Sequence, residues 1–252
     1  MIDRWRALAN LATLGNAVLG VAAVLYVLAG NPVWALALVT AGVGLDGLDG
    51  RFSRRSTKPA RRFGRFADSI ADAITFGVAP FFLLAVHTSD AALWATVDPL
   101  PLLVGAAYLA AAIARLVYFT GWGFERSHFL GVPTPQGALT LALLILALGT
   151  PAFVGVRPDL LLGGALLLAA LLVVPIPFPK IRRGNPLRPV FLVTGIAWVV
   201  ALIPIQFAPA AASPLYLLSE GAAGVAGVGL IAYYLIGPWT VWRESRPSGG
   251  PS

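Results

Sequence analysis

The sequence predicts an all-α fold: a polytopic transmembrane helical bundle of about eight spans, with both termini in the cytoplasm. Three observations carry that prediction. Of the 252 residues, 58% are hydrophobic and 12% charged, with a mean hydropathy of +0.82, whereas a soluble domain carries about 25% charged residues. Apolar runs of bilayer length recur along the chain. The basic residues then fall almost entirely on one side of those runs.

The first run, 10–29, follows the short, mildly basic segment Met1 to Ala9 and is interrupted by Asn16, which favours a retained span over a cleaved leader. The second, 33–52, must continue past Asp46 and Asp49, because the 13 residues from Val33 to Asp46 are too few to cross a bilayer. The third and fourth occupy 63–86 and 101–121. The fifth (136–155) and sixth (158–177) meet at a short hinge near Gly155 to Pro158, so seven spans is the alternative count. Runs at 188–207 and 220–240 complete the set, and the short linkers make residues 1–252 one membrane-embedded domain. No repeat of solenoid or transporter period is present.

With the N-terminus inside, 17 of the 18 Lys and Arg residues lie on the cytoplasmic side or, for Arg115, towards that end of the fourth span. Only Arg157 is left outside, where Asp90, Asp98, Asp159 and Glu220 also fall. Gaining or losing one span would scramble this asymmetry, so it supports the even count and the orientation together. The net charge of +7 is therefore read as topology and attraction to anionic lipid, not as a nucleic-acid surface. The absence of Cys excludes disulfides and thiolate metal sites. His87 and His128 are the only histidines and are far apart, so any metal here is held by oxygen, as hard divalent cations are.

Four of the 11 acidic residues lie between Asp46 and Asp72. Asp46 and Asp49 are spaced i,i+3, and Asp68 and Asp72 i,i+4, so each pair projects from one face of its own helix. Asp46 lies about 12 Å before Arg54, and Asp72 about 12 Å beyond Gly64, which puts both pairs at similar depth on spans two and three. A single charge at the centre of a membrane helix costs at least ~2.5–3.5 kcal/mol, and mutual repulsion adds to it. Protonation of two carboxyls would relieve this, and two divalent cations would balance it. The residues alone leave both open, along with solvated helix ends and a proton or cation transport site.

Asp46-x2-Asp49-Gly50-x2-Ser53-Arg54 followed by Gly64-x3-Asp68-x3-Asp72 resembles the signature of the CDP-alcohol phosphotransferase family, D-x2-D-G-x2-A-R-xn-G-x3-D-x3-D. Ser53 replaces the family's Ala, and the Arg54–Gly64 interval is one residue longer than expected. The run Asp68 to Pro80, Phe129-Leu-Gly131-Val-Pro133-Thr-Pro135, Ile176-Pro177-Phe178-Pro179-Lys180 and Thr13-Leu-Gly-Asn16-x3-Gly20 are similar to stretches of membrane-embedded phosphatidylserine and archaetidylserine synthases. Where an Arg-Leu-x-Arg-Phe-Asn stretch is expected, the chain has Arg115-Leu-Val-Tyr118-Phe-Thr120.

The resemblance implies transfer of a phosphatidyl or archaetidyl group from a CDP-linked lipid to an alcohol, L-serine in first place, releasing CMP. It implies two Mg²⁺ or Mn²⁺ ions held by Asp46, Asp49, Asp68 and Asp72, with Asp72 also the catalytic base. Gly50, Ser53, Arg54 and Gly64 would line the nucleotide site. Arg115, Lys180, Arg182 and Arg183 are candidates for an acceptor or lipid phosphate, against readings of Arg115 as a snorkelling anchor and of the basic loops as topology charge. The expected location is the cytoplasmic membrane with the active site facing the cytoplasm, and the resemblance allows a homodimer. Glycerol phosphate or inositol phosphate is the alternative acceptor. Intramembrane prenyl transfer would place its two Asp motifs about a hundred residues apart, and an ion-coupled transporter would show internal repeats and broken helices.

Overall fold

The computed structural model describes residues 3–56, 62–87, 98–123, 128–149, 157–180, 185, 187–207 and 214–244. Its elements run α1 Arg4–Leu28, α2 Pro32–Arg55, α3 Arg62–Ala73, a π-helical turn Ile74–Val78, α4 Ala79–His87, α5 Pro99–Tyr118, a second π turn Phe119–Gly123, β1 His128–Leu130, α6 Thr134–Gly149, α7 Pro158–Val173, β2 Pro177–Pro179, α8 Arg188–Phe207 and α9 Pro214–Glu244. The first π turn joins α3 and α4 without a break, and the second extends α5. The described residues therefore form eight helical rods, at the eight positions the apolar runs mark.

Five of these rods are long and apolar enough to cross a bilayer: Arg4–Leu28, Pro32–Arg55, Gly64–Val86, Pro99–Gly121 and Leu217–Arg243. Thr134–Leu148, Pro158–Val173 and Arg188–Leu202 are apolar but shorter. The fifth and sixth runs thus give helices of 16 residues each, roughly 24 Å of rise, where the sequence predicts fuller spans. The Gly155 hinge lies outside the described residues.

Helix ends follow local chemistry. The Asp3 carboxylate accepts from Trp5 N at 3.1 Å and caps α1, and Asp98 accepts from Leu100 N at 3.0 Å and caps α5. Proline at the first turn opens α2, α5 and α7, where its missing N–H costs nothing. Leu11, Leu14, Val18, Val21 and Leu25 form an exposed apolar stripe on α1, as a lipid-facing surface requires, while Ala9, Ala12, Asn16, Gly20 and Ala23 face inward. The core is built from aliphatic side chains of α4, α6 and α7 around Phe76, Tyr108 and Phe178.

Two glycines let α1 and α2 close on the first π turn. A Cβ at Gly20 would lie 2.8 Å from Thr75 Cα, and one at Gly42 would lie 2.8 Å from Asn16 Oδ1. These are the close approaches expected where small residues line a membrane-helix interface. Gly50 and Gly64 make no such close approach among the described residues: at Gly64 an added Cβ meets open space, and at Gly50 it meets only the Arg54 guanidinium, with Nη1 at 3.3 Å.

The all-α expectation misses one feature. Two three-residue strands pair antiparallel, with Phe129 opposite Phe178. Gly131, at φ +74°, turns the chain out of β1, and its N–H donates to Ile176 O at 2.9 Å. The two aromatic-proline stretches noted in the sequence are therefore one structural unit. It clips the α5–α6 connection to the end of α7.

Candidate active site

The carboxylates come from two adjacent rods. Asp46 and Asp49 project from the last turns of α2, and Asp68 and Asp72 from α3, just before the π turn. One carboxylate oxygen each from Asp46, Asp68 and Asp72 lies within 4.8 Å of the others. Asp49 joins through its side-chain contact with Asp68. The i,i+3 and i,i+4 spacings thus do what helical periodicity predicts, bringing the two pairs together between the rods. Asp49 and Asp72 are each 8% exposed, so solvated helix ends are excluded.

Two side chains of α1 close the site from behind. Thr13 Oγ1 donates to Asp49 Oδ2 at 2.8 Å, and Asn16 Nδ2 donates to Asp72 Oδ1 at 2.9 Å. The Oδ1 atom of Asp68 is buried and receives no hydrogen bond from the described residues. A buried carboxylate oxygen without a donor is costly. The donor set is all oxygen, anionic and convergent, which suits hard divalent cations and no soft metal. The residues therefore fit a divalent cation.

The remaining candidates divide. Arg54 is exposed, folds back over Gly50, and acts electrostatically on Asp46. Ser53 is half-buried on the same end of α2, and Gly64 is half-buried at the start of α3. Arg115 is buried, 6% exposed, which overturns the snorkelling reading. Its Nη1 donates to Thr134 Oγ1 at 2.9 Å, its Nε has no hydrogen-bond partner among the described residues, and it attracts Asp72 electrostatically. Lys180 reaches the same place from the end of β2. Both cations lie over Phe119 and Phe129, Arg115 at 5.8 and 5.7 Å and Lys180 at 5.9 and 5.1 Å from the ring centres. Arg182 and Arg183 lie outside the described residues.

Sequence reasoning missed several neighbours. Thr120, where Asn is expected, pairs with Ser69 at 2.6 Å and ties the second π turn to the residue after Asp68. Tyr108 is fully buried with an unpartnered hydroxyl. Polar residues inside otherwise apolar membrane helices were the available signal for Thr13, Asn16 and Tyr108. A mostly apolar cavity of about 330 Å³, with none of the four carboxylates in its lining, opens between α2, α6, α8 and α9 and is lined by Gly44, Gly47, Arg51, Leu139, Trp198 and Leu230 among others.

A half-buried four-carboxylate centre on adjacent apolar helices marks an integral membrane protein with a polar site, and its likeness to known proteins specifies which. The CDP-alcohol phosphatidyltransferase family model matches residues 6–176, and the chain belongs to that family. The matched segment contains all four aspartates, Arg115 and Thr134.

Among its relatives is the CDP-diacylglycerol--serine O-phosphatidyltransferase of Helicobacter pylori strain J99, 33% identical over 177 residues, covering 69% of this chain and 72% of that protein. The protein of the same name from Mycobacterium leprae is 35% identical over 128 residues, 50% of this chain but only 42% of that longer relative. The archaetidylserine synthase of Methanothermobacter thermautotrophicus is 32% identical over 145 residues, 56% of this chain and 58% of its own length. The chain is thus a membrane transferase of the phospholipid-forming class.

Proposed function

We propose that this enzyme transfers the phosphatidyl, or archaetidyl, group of a CDP-linked lipid to the hydroxyl of L-serine, releasing CMP. The observation that carries the reading is the convergence of Asp46, Asp68 and Asp72 within 4.8 Å, with Asp49 against them. Bound there, two Mg²⁺ or Mn²⁺ ions would supply charge stabilisation to the diphosphate of the donor. Asp46, Asp49 and Asp68 would hold them, with Asp72 sharing one.

The chain's own groups account for the remaining needs. Asp72 takes the hydroxyl proton as the serine oxygen bonds to the lipid-bearing phosphorus. The bond from that phosphorus to the CMP oxygen breaks, and CMP leaves with the electron pair. Gly50, Ser53, Arg54 and Gly64 lie along the cytoplasmic ends of α2 and α3, where the nucleotide would rest.

Serine as acceptor is supported by the names of the relatives and by Arg115. A buried guanidinium that, among the described residues, donates to a neutral hydroxyl needs an anion, and a carboxylate matches its fork geometry. The test is release of CMP by the purified enzyme with CDP-diacylglycerol and a panel of alcohols. L-Serine should turn over at least about tenfold faster than glycerol phosphate or inositol phosphate. In the same assay Arg115→Gln should raise the KM for serine about tenfold or more, the loss of a charge-assisted hydrogen bond worth ~1.5–3 kcal/mol, and leave that for CDP-lipid within about threefold. A phosphorylated acceptor winning the panel would overturn the serine assignment.

The proposed setting is the cytoplasmic membrane, with eight spans, both ends inside and the site open to the cytoplasm. The charge distribution supports this, and the absence of native Cys makes it easy to check. A cysteine at Lys58 should react with membrane-impermeant reagents only from the cytoplasmic side, and one at Asp90 only from outside. Reversed labelling would refute the orientation.

A further inference from the structure

The stretch Thr13-Leu-Gly-Asn16 has no part in the chemistry above, although its two polar side chains reach into the carboxylate centre. α1 contributes no carboxylate, yet Thr13 is bonded to one aspartate of α2 and Asn16 to one of α3. From this arrangement we propose that Thr13 and Asn16 are positioning residues, fixing the Asp49 and Asp72 carboxylates in the orientation that receives divalent cations. The inference rests on the two-metal reading of the site.

A carboxylate on a helix rotates about its last bond and can present either oxygen. Thr13 on Oδ2 of Asp49 and Asn16 on Oδ1 of Asp72 each fix the rotation of a carboxylate, and so the direction in which its remaining lone pairs point. Groups behind metal ligands set ligand orientation in this way, and their loss typically costs about 10–100-fold in affinity or activity. The donors also offset negative charge where water is excluded.

Asn16 is itself held firmly. It has no exposed surface, and Thr75 Oγ1 donates to its backbone carbonyl at 2.8 Å. Gly42 gives its amide room, since a Cβ there would lie 2.8 Å from Oδ1. Thr75 belongs to the π turn that begins two residues after Asp72, so the same contact sets α1 against the helix carrying that carboxylate. π turns concentrate at functional sites. Among the described residues the Oδ1 of Asn16 has no hydrogen-bond partner. An amide serving only to join helices would be expected to pair both ends. Here one end goes unsatisfied while the other is spent on Asp72.

The test uses the full-length protein in detergent, stripped of metal by chelation and titrated with Mn²⁺ while thermal unfolding is followed. Wild-type protein should be stabilised with a defined midpoint. Thr13→Val, which keeps shape but loses the donor, and Asn16→Leu should each raise that midpoint by about 10–100-fold. Thr13→Ser, which keeps the hydroxyl, should stay within about threefold of wild type, with metal-free melting of the Thr13 variants close to it. A midpoint unmoved in Thr13→Val, with wild type clearly stabilised, overturns the positioning role alone. Absence of any Mn²⁺ effect on wild type overturns the two-metal reading and this inference with it. If Asn16→Leu does not fold, the contrast between Thr13→Val and Thr13→Ser still decides.

Discussion

Asp68→Asn is expected to eliminate both turnover and the stabilisation of the protein by divalent cations. Asp68 occupies the middle of the centre. Its carboxylate contacts Asp49, it shares the 4.8 Å group with Asp46 and Asp72, and its Oδ1 is buried without a donor among the described residues. Asn preserves the volume but removes one negative charge and turns one ligand oxygen into an amide that repels a cation. Removal of a single preorganised electrostatic group commonly costs on the order of 10²–10³ in turnover. Here the substituted group also anchors that electrostatic centre, so the loss should reach at least the upper figure. Chelation with EDTA should reproduce the defect in wild type, and Mg²⁺ or Mn²⁺ should restore wild type only. CMP release measures turnover, and thermal unfolding with and without Mn²⁺ measures binding. Full turnover by chelated wild-type enzyme would end the two-metal mechanism.

The helices and the carboxylate centre were legible in the sequence because both are periodic. Apolar runs mark rods wherever a bilayer must be crossed, and i,i+3 and i,i+4 spacings put Asp46 with Asp49 and Asp68 with Asp72 on common faces before any coordinate is known. What stayed hidden depends on tertiary contact. Gly20 and Gly42 are ordinary members of small-residue-rich spans until Thr75 is seen between them. The antiparallel pairing of Phe129 with Phe178 joins segments about fifty residues apart, and nothing local in either three-residue strand announces it. Arg115 illustrates the limit most clearly. Its place near a span end suggests an anchor at the interface, but the fold closes α6 and the strand pair over it and leaves it 6% exposed. Burial there follows from which helices become neighbours, a property no single segment encodes.

Asp72→Asn should separate base from ligand. Asp72 stands one turn beyond Asp68, is almost fully buried, and has Oδ1 fixed by Asn16. Arg115 lies near enough to interact with it electrostatically. A serine hydroxyl is a poor nucleophile until its proton is removed, and a positioned base contributes about 10²–10⁴-fold. Asn at position 72 keeps the size and one oxygen, and that oxygen can still accept from Asn16, but it cannot take a proton. The variant should therefore bind CDP-lipid in the presence of Mg²⁺ within about tenfold of wild type, a change of ~1.4 kcal/mol, while turnover falls by at least about two decades. Thermal stabilisation of the purified protein by CDP-lipid with Mg²⁺ follows the binding, and CMP release the turnover. Asp68→Asn should lose binding and turnover together, so the two substitutions differ in kind and not only in degree. If Asp72→Asn loses binding as completely as Asp68→Asn, Asp72 is a metal ligand alone and the proton goes to another group.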